Sequence, residues 1–179
     1  MSPKIMEEIV RKISGHEKRL EYLETLEAPV VPREGCRVYN GSNQWVGQNN
    51  FVTLSFSAAD WNIGPCWSSD QAQRLVAPVK GYYGCEVQVL WADDSNQDGY
   101  RQIRIIDQGG NMIVTPDIKV YQAGDFTSQR VGVRFWYMEE GDYLRIQAWQ
   151  NSSGITKRII PRESTANQAG NHAAFWRVA

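Results

Sequence analysis

This 179-residue chain lacks a surplus of basic residues and any long apolar run. Its 19 lysines and arginines are offset by 20 acidic residues, so the net charge of −1 argues against binding to nucleic acid or to an acidic membrane surface. No stretch reaches the roughly 18 apolar residues that a membrane span needs, which argues against membrane insertion. Acidic side chains also interrupt the first residues, where a secretory leader would be apolar, so we expect assembly in a cytoplasm.

Cysteine is scarce too. The chain has only Cys36, Cys66 and Cys85, an odd number without the close spacing of a metal site. We expect three reduced thiols, at least one of them in the core. A Cys36–Cys66 disulfide is the alternative.

Residues for catalysis are few. There are two histidines, and one of them, His16, falls in a segment with helical periodicity. The chain contains no G-x-S-x-G, no H-E-x-x-H and no phosphate-binding glycine loop. Acid–base catalysis needs titratable groups that are held in a defined pocket, and the pattern indicates none. The sequence therefore predicts a protein that is not an enzyme.

In the first 27 residues, apolar side chains recur alternately three and four positions apart, with His16 completing the spacing, which is the heptad pattern of a coiled coil. The a positions are Met6, Ile13 and Leu20, and the d positions are Ile9, His16 and Leu23. Within them, Arg19–Glu24 resembles the trimerisation signature Arg-apolar-x-x-apolar-Glu, in which the arginine and the glutamate bridge adjacent helices. We therefore expect residues 1–27 to form a trimeric α-helical coiled coil. An amphipathic helix lying on the rest of the protein is the alternative. The residues predicted at this trimer interface are Met6, Ile9, Ile13, His16, Arg19, Leu20, Leu23 and Glu24.

Residues 28–34 contain two prolines and are predicted to be a stiff linker. From residue 35 to residue 179 the apolar period changes to two, and glycine-containing turns recur along the chain. About ten strands without intervening helices predict an all-β antiparallel sandwich or barrel. The alternating residues expected to face the core include Tyr83, Cys85, Val87 and Val89, then Val131, Val133, Phe135 and Tyr137, and finally Leu144, Ile146 and Ala148.

Three segments carry a family resemblance. Residues 75–83 resemble an apolar-x-x-Pro-x-x-Gly-x-Tyr motif that leads into a long central strand, residues 140–146 resemble a Gly-Asp turn, and residues 174–178 form a short aromatic terminal strand. Together they resemble the jelly-roll family that unites tumour necrosis factor with the globular head of complement component one, subcomponent q. The resemblance implies that residues 35–179 are a jelly-roll head, and it favours a homotrimer.

Large apolar side chains also occur on the strand faces opposite the predicted core, which would leave an apolar patch exposed on a monomer. Packing three heads around an axis would bury that patch. The alternative is that these side chains cover the far side of a thick sandwich. The residues predicted at the head interface are Tyr82, Trp136, Met138 and Trp176.

One segment resembles half of a calcium-binding loop. Asp94, Asn96 and Asp98 precede Gly99 at the spacing D-x-[DN]-x-[DN]-G, which brings alternate oxygens toward one cation. Ile105 stands where such a loop has its bidentate glutamate. A plain polar turn is the alternative, and no other cofactor is expected.

A coiled coil carrying a trimeric head resembles the short fibres and spikes of bacteriophage virions. We therefore expect a structural component of a phage particle, a fibre, spike or decoration on head or tail, that reaches the virion after assembly in the host cytoplasm. Its N-terminus would bind other virion proteins, and its heads would attach to a host-surface glycan or protein. Trp45, Trp61 and Trp67, expected in loops, would offer stacking surfaces. The alternatives are a cellular trimeric signalling or adhesion module that binds a protein receptor between protomers, and a decoration without a ligand.

Overall fold

Strands with one buried face make up most of the residues that the computed structural model describes, which are 34–92, 99–115, 119–121, 127–151, 156–161 and 171–178. The predicted coiled coil and all but Glu34 of the predicted linker lie outside these residues. The predicted calcium ligands Asp94, Asn96 and Asp98 lie outside them as well. The interpretations of those segments stay predictions.

Thirteen strands form within the described residues, where about ten were expected. The excess comes from short strands such as Val52–Thr53 and Leu75–Val76, which are too brief to show an alternating pattern. The strands are β1 Gly35–Tyr39, β2 Gln44–Val46, β3 Val52–Thr53, β4 Ala58–Ile63, β5 Leu75–Val76, β6 Gly81–Trp91, β7 Gly99–Ile106, β8 Met112–Val114, β9 Lys119–Tyr121, β10 Thr127–Met138, β11 Tyr143–Gln150, β12 Lys157–Ile159 and β13 His172–Arg177. One 3-10 turn, Ser69–Gln71, follows β4.

The strands form two antiparallel sheets. The first has seven strands in the order β2-β12-β6-β13-β1-β4, and β10 pairs along the whole length of β6. The second has six strands, with β3-β11-β7-β8 in order, β5 beside β11 and β9 beside β7. For the described part of the head, the all-β prediction is confirmed. Within the described residues, no helix has the length and apolar character needed to cross a membrane.

The core lies between the two sheets and is filled by alternate residues of the long strands. Tyr83, Cys85, Val87 and Val89 of β6 are fully buried, and so are Ile146 and Ala148 of β11, as their alternation predicts. The Tyr83 ring stacks on Phe175 of β13 with 4.8 Å between ring centroids, and its hydroxyl donates to the Val79 carbonyl at 2.7 Å. Each fully buried valine, isoleucine or phenylalanine side chain of this core contributes about 1.5–3 kcal/mol to folding.

Strand β10 departs from the predicted alternation at a β-bulge. Val133 pairs with Cys85 and Trp136 pairs with Tyr83, so two residues, Arg134 and Phe135, stand opposite the single Gly84. An extra residue on one strand exchanges the inward and outward faces beyond it.

The bulge overturns four of the predicted face assignments. Met138, only 1% exposed, lies in the core, and Trp136 packs against it, although both were predicted to face outward. Phe135 and Tyr137, which were predicted to face the core, are 67% and 50% exposed. These four predictions of position were wrong because the bulge interrupts the strict alternation on which they rest.

The three cysteines are free and fully buried, which confirms the expectation of reduced thiols over the Cys36–Cys66 disulfide. Burial away from water raises the pKa of Cys66 and of Cys85 to about 12, and raises the pKa of Cys36 further. The thiols are therefore protonated at neutral pH, and they act as small apolar core residues.

Candidate interaction face

The outward surface of the first sheet carries an exposed aromatic cluster at one end. Tyr82 of β6 and Tyr137 of β10 are opposite one another in the strand register, and their rings meet edge to face with 5.4 Å between centroids. Phe135, the bulge residue, is exposed beside them. Contiguous aromatic side chains left open to water usually mark an interaction surface. We call Tyr82, Phe135, Tyr137 and Trp176 the aromatic face.

Two glycines shape this surface. A Cβ added at Gly84 would come within 2.6 Å of the Trp176 indole, so the indole of this β13 residue lies directly over the glycine backbone. A Cβ at Gly35 would meet the Trp61 ring at 3.1 Å, so Trp61 of β4 lies over β1 in the same way. The absence of side chains at Gly35 and Gly84 lets both indoles lie close to the sheet instead of standing away from it.

Beyond the aromatic face, the same sheet surface is polar. The Arg130 guanidinium forms an ion pair with Glu86 at 3.4 Å and donates to the Gln88 side-chain oxygen at 2.6 Å. Both ionic side chains are exposed, so this pair contributes little to stability and instead presents charge at the surface. Gly132 and Trp176 border a shallow depression of about 590 Å³ next to this pair.

Of the four predicted head-interface residues, Tyr82 and Trp176 lie on the outward surface as expected. Trp136 and Met138 do not, and the residues that replace them, Phe135 and Tyr137, were missed. All four residues from Phe135 to Met138 are apolar, so the sequence does not indicate which side of the strand faces water. An apolar run in place of the alternating pattern was the sequence signal that this part of β10 is irregular.

The three tryptophans predicted to stack on a ligand do not gather at one place. Trp45 lies on β2, opposite Arg158 of β12, and is 57% exposed, whereas Trp61 lies on β4 at the other end of the same sheet. Trp67 packs against the core, and its indole N–H is buried without a hydrogen-bond partner in the described part of the chain. Only Trp67 lies in a loop, so the prediction that all three do was wrong. Sheet order separates Trp45 from Trp61.

The outward surface of the second sheet carries a different group that sequence reasoning missed. The Arg104 guanidinium carbon lies 3.4 Å from the centre of the Phe51 ring, and that ring lies 6.1 Å from the Trp149 ring. Gln147 lies opposite both Arg104 and Thr53 in the strand register. Polar and aromatic residues at alternate positions of β7 and β11 were the sequence signal for this group.

Among the described residues, no group of three or more histidine, cysteine or carboxylate side chains is placed to hold a metal ion.

No protein-family model and no curated protein matches this chain. Solved structures do match. An Eiger TNF from S. frugiperda has a TM-score of 0.54 at 10% identity, over 83% of this chain and 94% of that one. Murine APRIL, crystallised at pH 8.5, has a TM-score of 0.52 at 12% identity, over 81% of this chain and 98% of that one. These similarities show that the described part of the chain has a jelly-roll fold like that of tumour necrosis factor.

Proposed function

We propose that this chain is a non-enzymatic structural component of a bacteriophage particle, a homotrimeric fibre, spike or decoration on head or tail. Its head domains would attach to a host-surface glycan or protein. The observation that carries self-association is the aromatic face, on which Tyr82, Phe135 and Tyr137 are each about half exposed or more. Burying one large apolar side chain contributes about 1.5–3 kcal/mol, so a surface of this kind in each of three chains favours their association.

The predicted coiled coil supports the same assembly from the other end of the chain. Its heptads and the Arg19–Glu24 signature favour three parallel helices, which would hold three heads close together and bind other virion proteins. Tethering raises the effective concentration of the heads, so the aromatic faces would not need to bind tightly by themselves.

The cysteines favour assembly in a host cytoplasm over an oxidising compartment. Small secreted domains commonly depend on disulfides, and cytoplasmic proteins keep their thiols reduced. This head domain has a core containing three free, fully buried thiols.

Two measurements test the proposal. Light scattering of the full chain should give a mass of about 61 kDa, three times the 20.4 kDa chain mass. Mass spectrometry of phage particles purified on density gradients should find the protein at a constant ratio to the capsid protein. A monomer in solution would reject the homotrimer, and its absence from purified particles of a phage that encodes it would reject the virion role.

A cellular trimeric signalling or adhesion module is the second candidate, and the fold similarity to Eiger TNF and murine APRIL favours it. In that case the trimer would bind a protein receptor between protomers. Capture of a single cell-surface protein by the trimer, together with its absence from particles, would favour this candidate.

A further inference from the structure

The outward surface of the second sheet holds a row of aromatic, amide and arginine side chains, which we call the arginine–aromatic strip. It crosses three strands and the residue before β3. Its members are Phe51, Thr53, Gln102, Arg104, Gln147 and Trp149. All of them are at least partly exposed, and Phe51 is 38% exposed.

Arg104 is held in place on the strip. Its Nε and Nη2 both donate to the Gln147 side-chain oxygen, at 2.8 and 2.7 Å, while the face of its guanidinium lies on the Phe51 ring. Gln147 is oriented in turn, because its amide nitrogen donates to the Thr53 hydroxyl at 3.2 Å. These contacts leave the N–H groups of Nη1 unused, and no carboxylate among the described residues pairs with them. An arginine fixed in this way loses little conformational entropy when it binds an anion.

The outward positions of three described strands of this sheet carry charge of one sign. The outward positions of β3, β7 and β11 include two arginines, Arg104 and Arg145, and no aspartate or glutamate. The residues at these positions are Thr53, Tyr100, Gln102, Arg104, Tyr143, Arg145, Gln147 and Trp149. An anionic partner would therefore meet attraction and no fixed repulsion along these strands.

The other side chains of the strip suit a sugar. Trp149 supplies a broad apolar ring, and Gln102 supplies an amide, whose nitrogen donates to the Thr115 hydroxyl at 2.7 Å. Aromatic rings beside oriented amide groups suit a ligand whose rings have apolar faces and hydroxyl edges. The surface is an open sheet face, so it suits an extended polymer rather than a small molecule enclosed in a pocket.

We infer that the arginine–aromatic strip binds a carboxylate-bearing polysaccharide. The open edge of Arg104 holds a uronate carboxylate by charge-assisted hydrogen bonds, and Trp149 stacks on a neighbouring sugar ring. This inference rests on the proposed attachment function, and it places the glycan on the second sheet, away from the aromatic face and from Trp45 and Trp61.

The test uses the full chain and two probes of equal length, a hexasaccharide of galacturonic acid and the same hexasaccharide with its carboxyl groups reduced to alcohols. Calorimetry should show binding of the acidic probe and at least about tenfold weaker binding of the reduced probe. Arg104→Ala and Trp149→Ala should each weaken binding of the acidic probe by about tenfold or more. Arg104→Lys should recover only part of the loss, because a lysine keeps the charge but has no planar fork.

Gln147→Glu is the variant that best separates a loss of anion binding from a loss of folding. It keeps the size of the side chain and places a carboxylate on the two Arg104 nitrogens that Gln147 already contacts, so the protein should stay folded while its anion binding is lost. Lys80→Gln removes one exposed positive charge elsewhere, and Trp45→Ala removes an exposed tryptophan from the first sheet. Both controls should bind like the unmodified protein.

Equal binding of the two probes, equal weakening by Lys80→Gln, or no binding of the acidic probe would each overturn the inference. So would full binding by a folded Gln147→Glu variant, with folding checked by thermal melting. Light scattering on the same samples separates this result from the proposed function. A trimer that binds neither probe rejects the strip alone, whereas a monomer that binds the acidic probe rejects the trimer alone.

Discussion

The Trp176 indole lies so close to Gly84 that a single added carbon at Gly84 would stand 2.6 Å from it. The two residues are paired in the register of β13 and β6. Gly84 is also the residue opposite the β10 bulge. One glycine therefore lies beneath a tryptophan of the aromatic face and beside the irregularity that turns Phe135 and Tyr137 outward.

Gly84→Ala should displace the Trp176 ring and weaken both the fold and the trimer. Overpacking of this kind costs about 1–3 kcal/mol. Urea unfolding measures the loss, and light scattering at decreasing concentrations measures association. Gly47→Ala is the matched control, because an added Cβ there would be 3.9 Å from the nearest neighbour, an ordinary contact. Equal urea midpoints of the two variants would contradict the close Trp176 contact.

Aspartate substitutions at the adjacent residues Phe135 and Trp136 should affect different properties, the first the trimer and the second the fold. Phe135 is mostly exposed, so an aspartate there should leave the head folded but oppose trimer formation, since it would place a charge in the aromatic face. Trp136 packs against the core, so an aspartate there should destabilise or unfold the domain.

Circular dichroism and light scattering together separate these two outcomes. Met112→Asp is the control, because Met112 is exposed on the second sheet and should change neither measurement. If Phe135→Asp stays trimeric with unchanged melting, the aromatic face is not the interface.

Stability should fall at alkaline pH because of the buried thiols. Their pKa is raised above the ordinary value of 9.0, to about 12 for Cys85, since burial disfavours the thiolate. Above pH 9 the unfolded chain loses these protons while the folded chain keeps them, so the unfolded state gains stability as pH rises toward 12.

The urea midpoint should therefore drop between pH 8 and pH 10, and the drop should be smaller in Cys85→Ala, which has one such thiol fewer. Tyrosines and lysines titrate in both proteins, so the difference between the two drops in urea midpoint reports the contribution of Cys85. Identical drops in both proteins would contradict a role for Cys85.

His16→Ile should stabilise the predicted coiled coil. The heptad places His16 at a d position, where isoleucine would replace a polar layer with an apolar one. Circular dichroism at 222 nm should show helical signal in the full chain persisting to a higher temperature. If the temperature at which the helical signal is lost stays unchanged, His16 does not lie at the interface between the helices of the coiled coil.

The candidate binding surfaces were less predictable than the strands. Tyr82 and Trp176 were placed on the outward side because their own strands alternate regularly. The arginine–aromatic strip was not predicted, because Phe51 before β3, Arg104 of β7 and Trp149 of β11 are distant in sequence. Their proximity depends on β11 pairing with β3 on one edge and β7 on the other.

The sequence by itself determined the all-β class and the inward sides of β6 and β11, because a period of two is a local property that a regular strand preserves. Only the tertiary structure decided which side of β10 faces water beyond Val133. A bulge is a mismatch between two paired strands, so it depends on Gly84 of β6 as much as on Arg134 and Phe135. That long-range pairing moved Met138 into the core and brought Phe135 and Tyr137 to the surface.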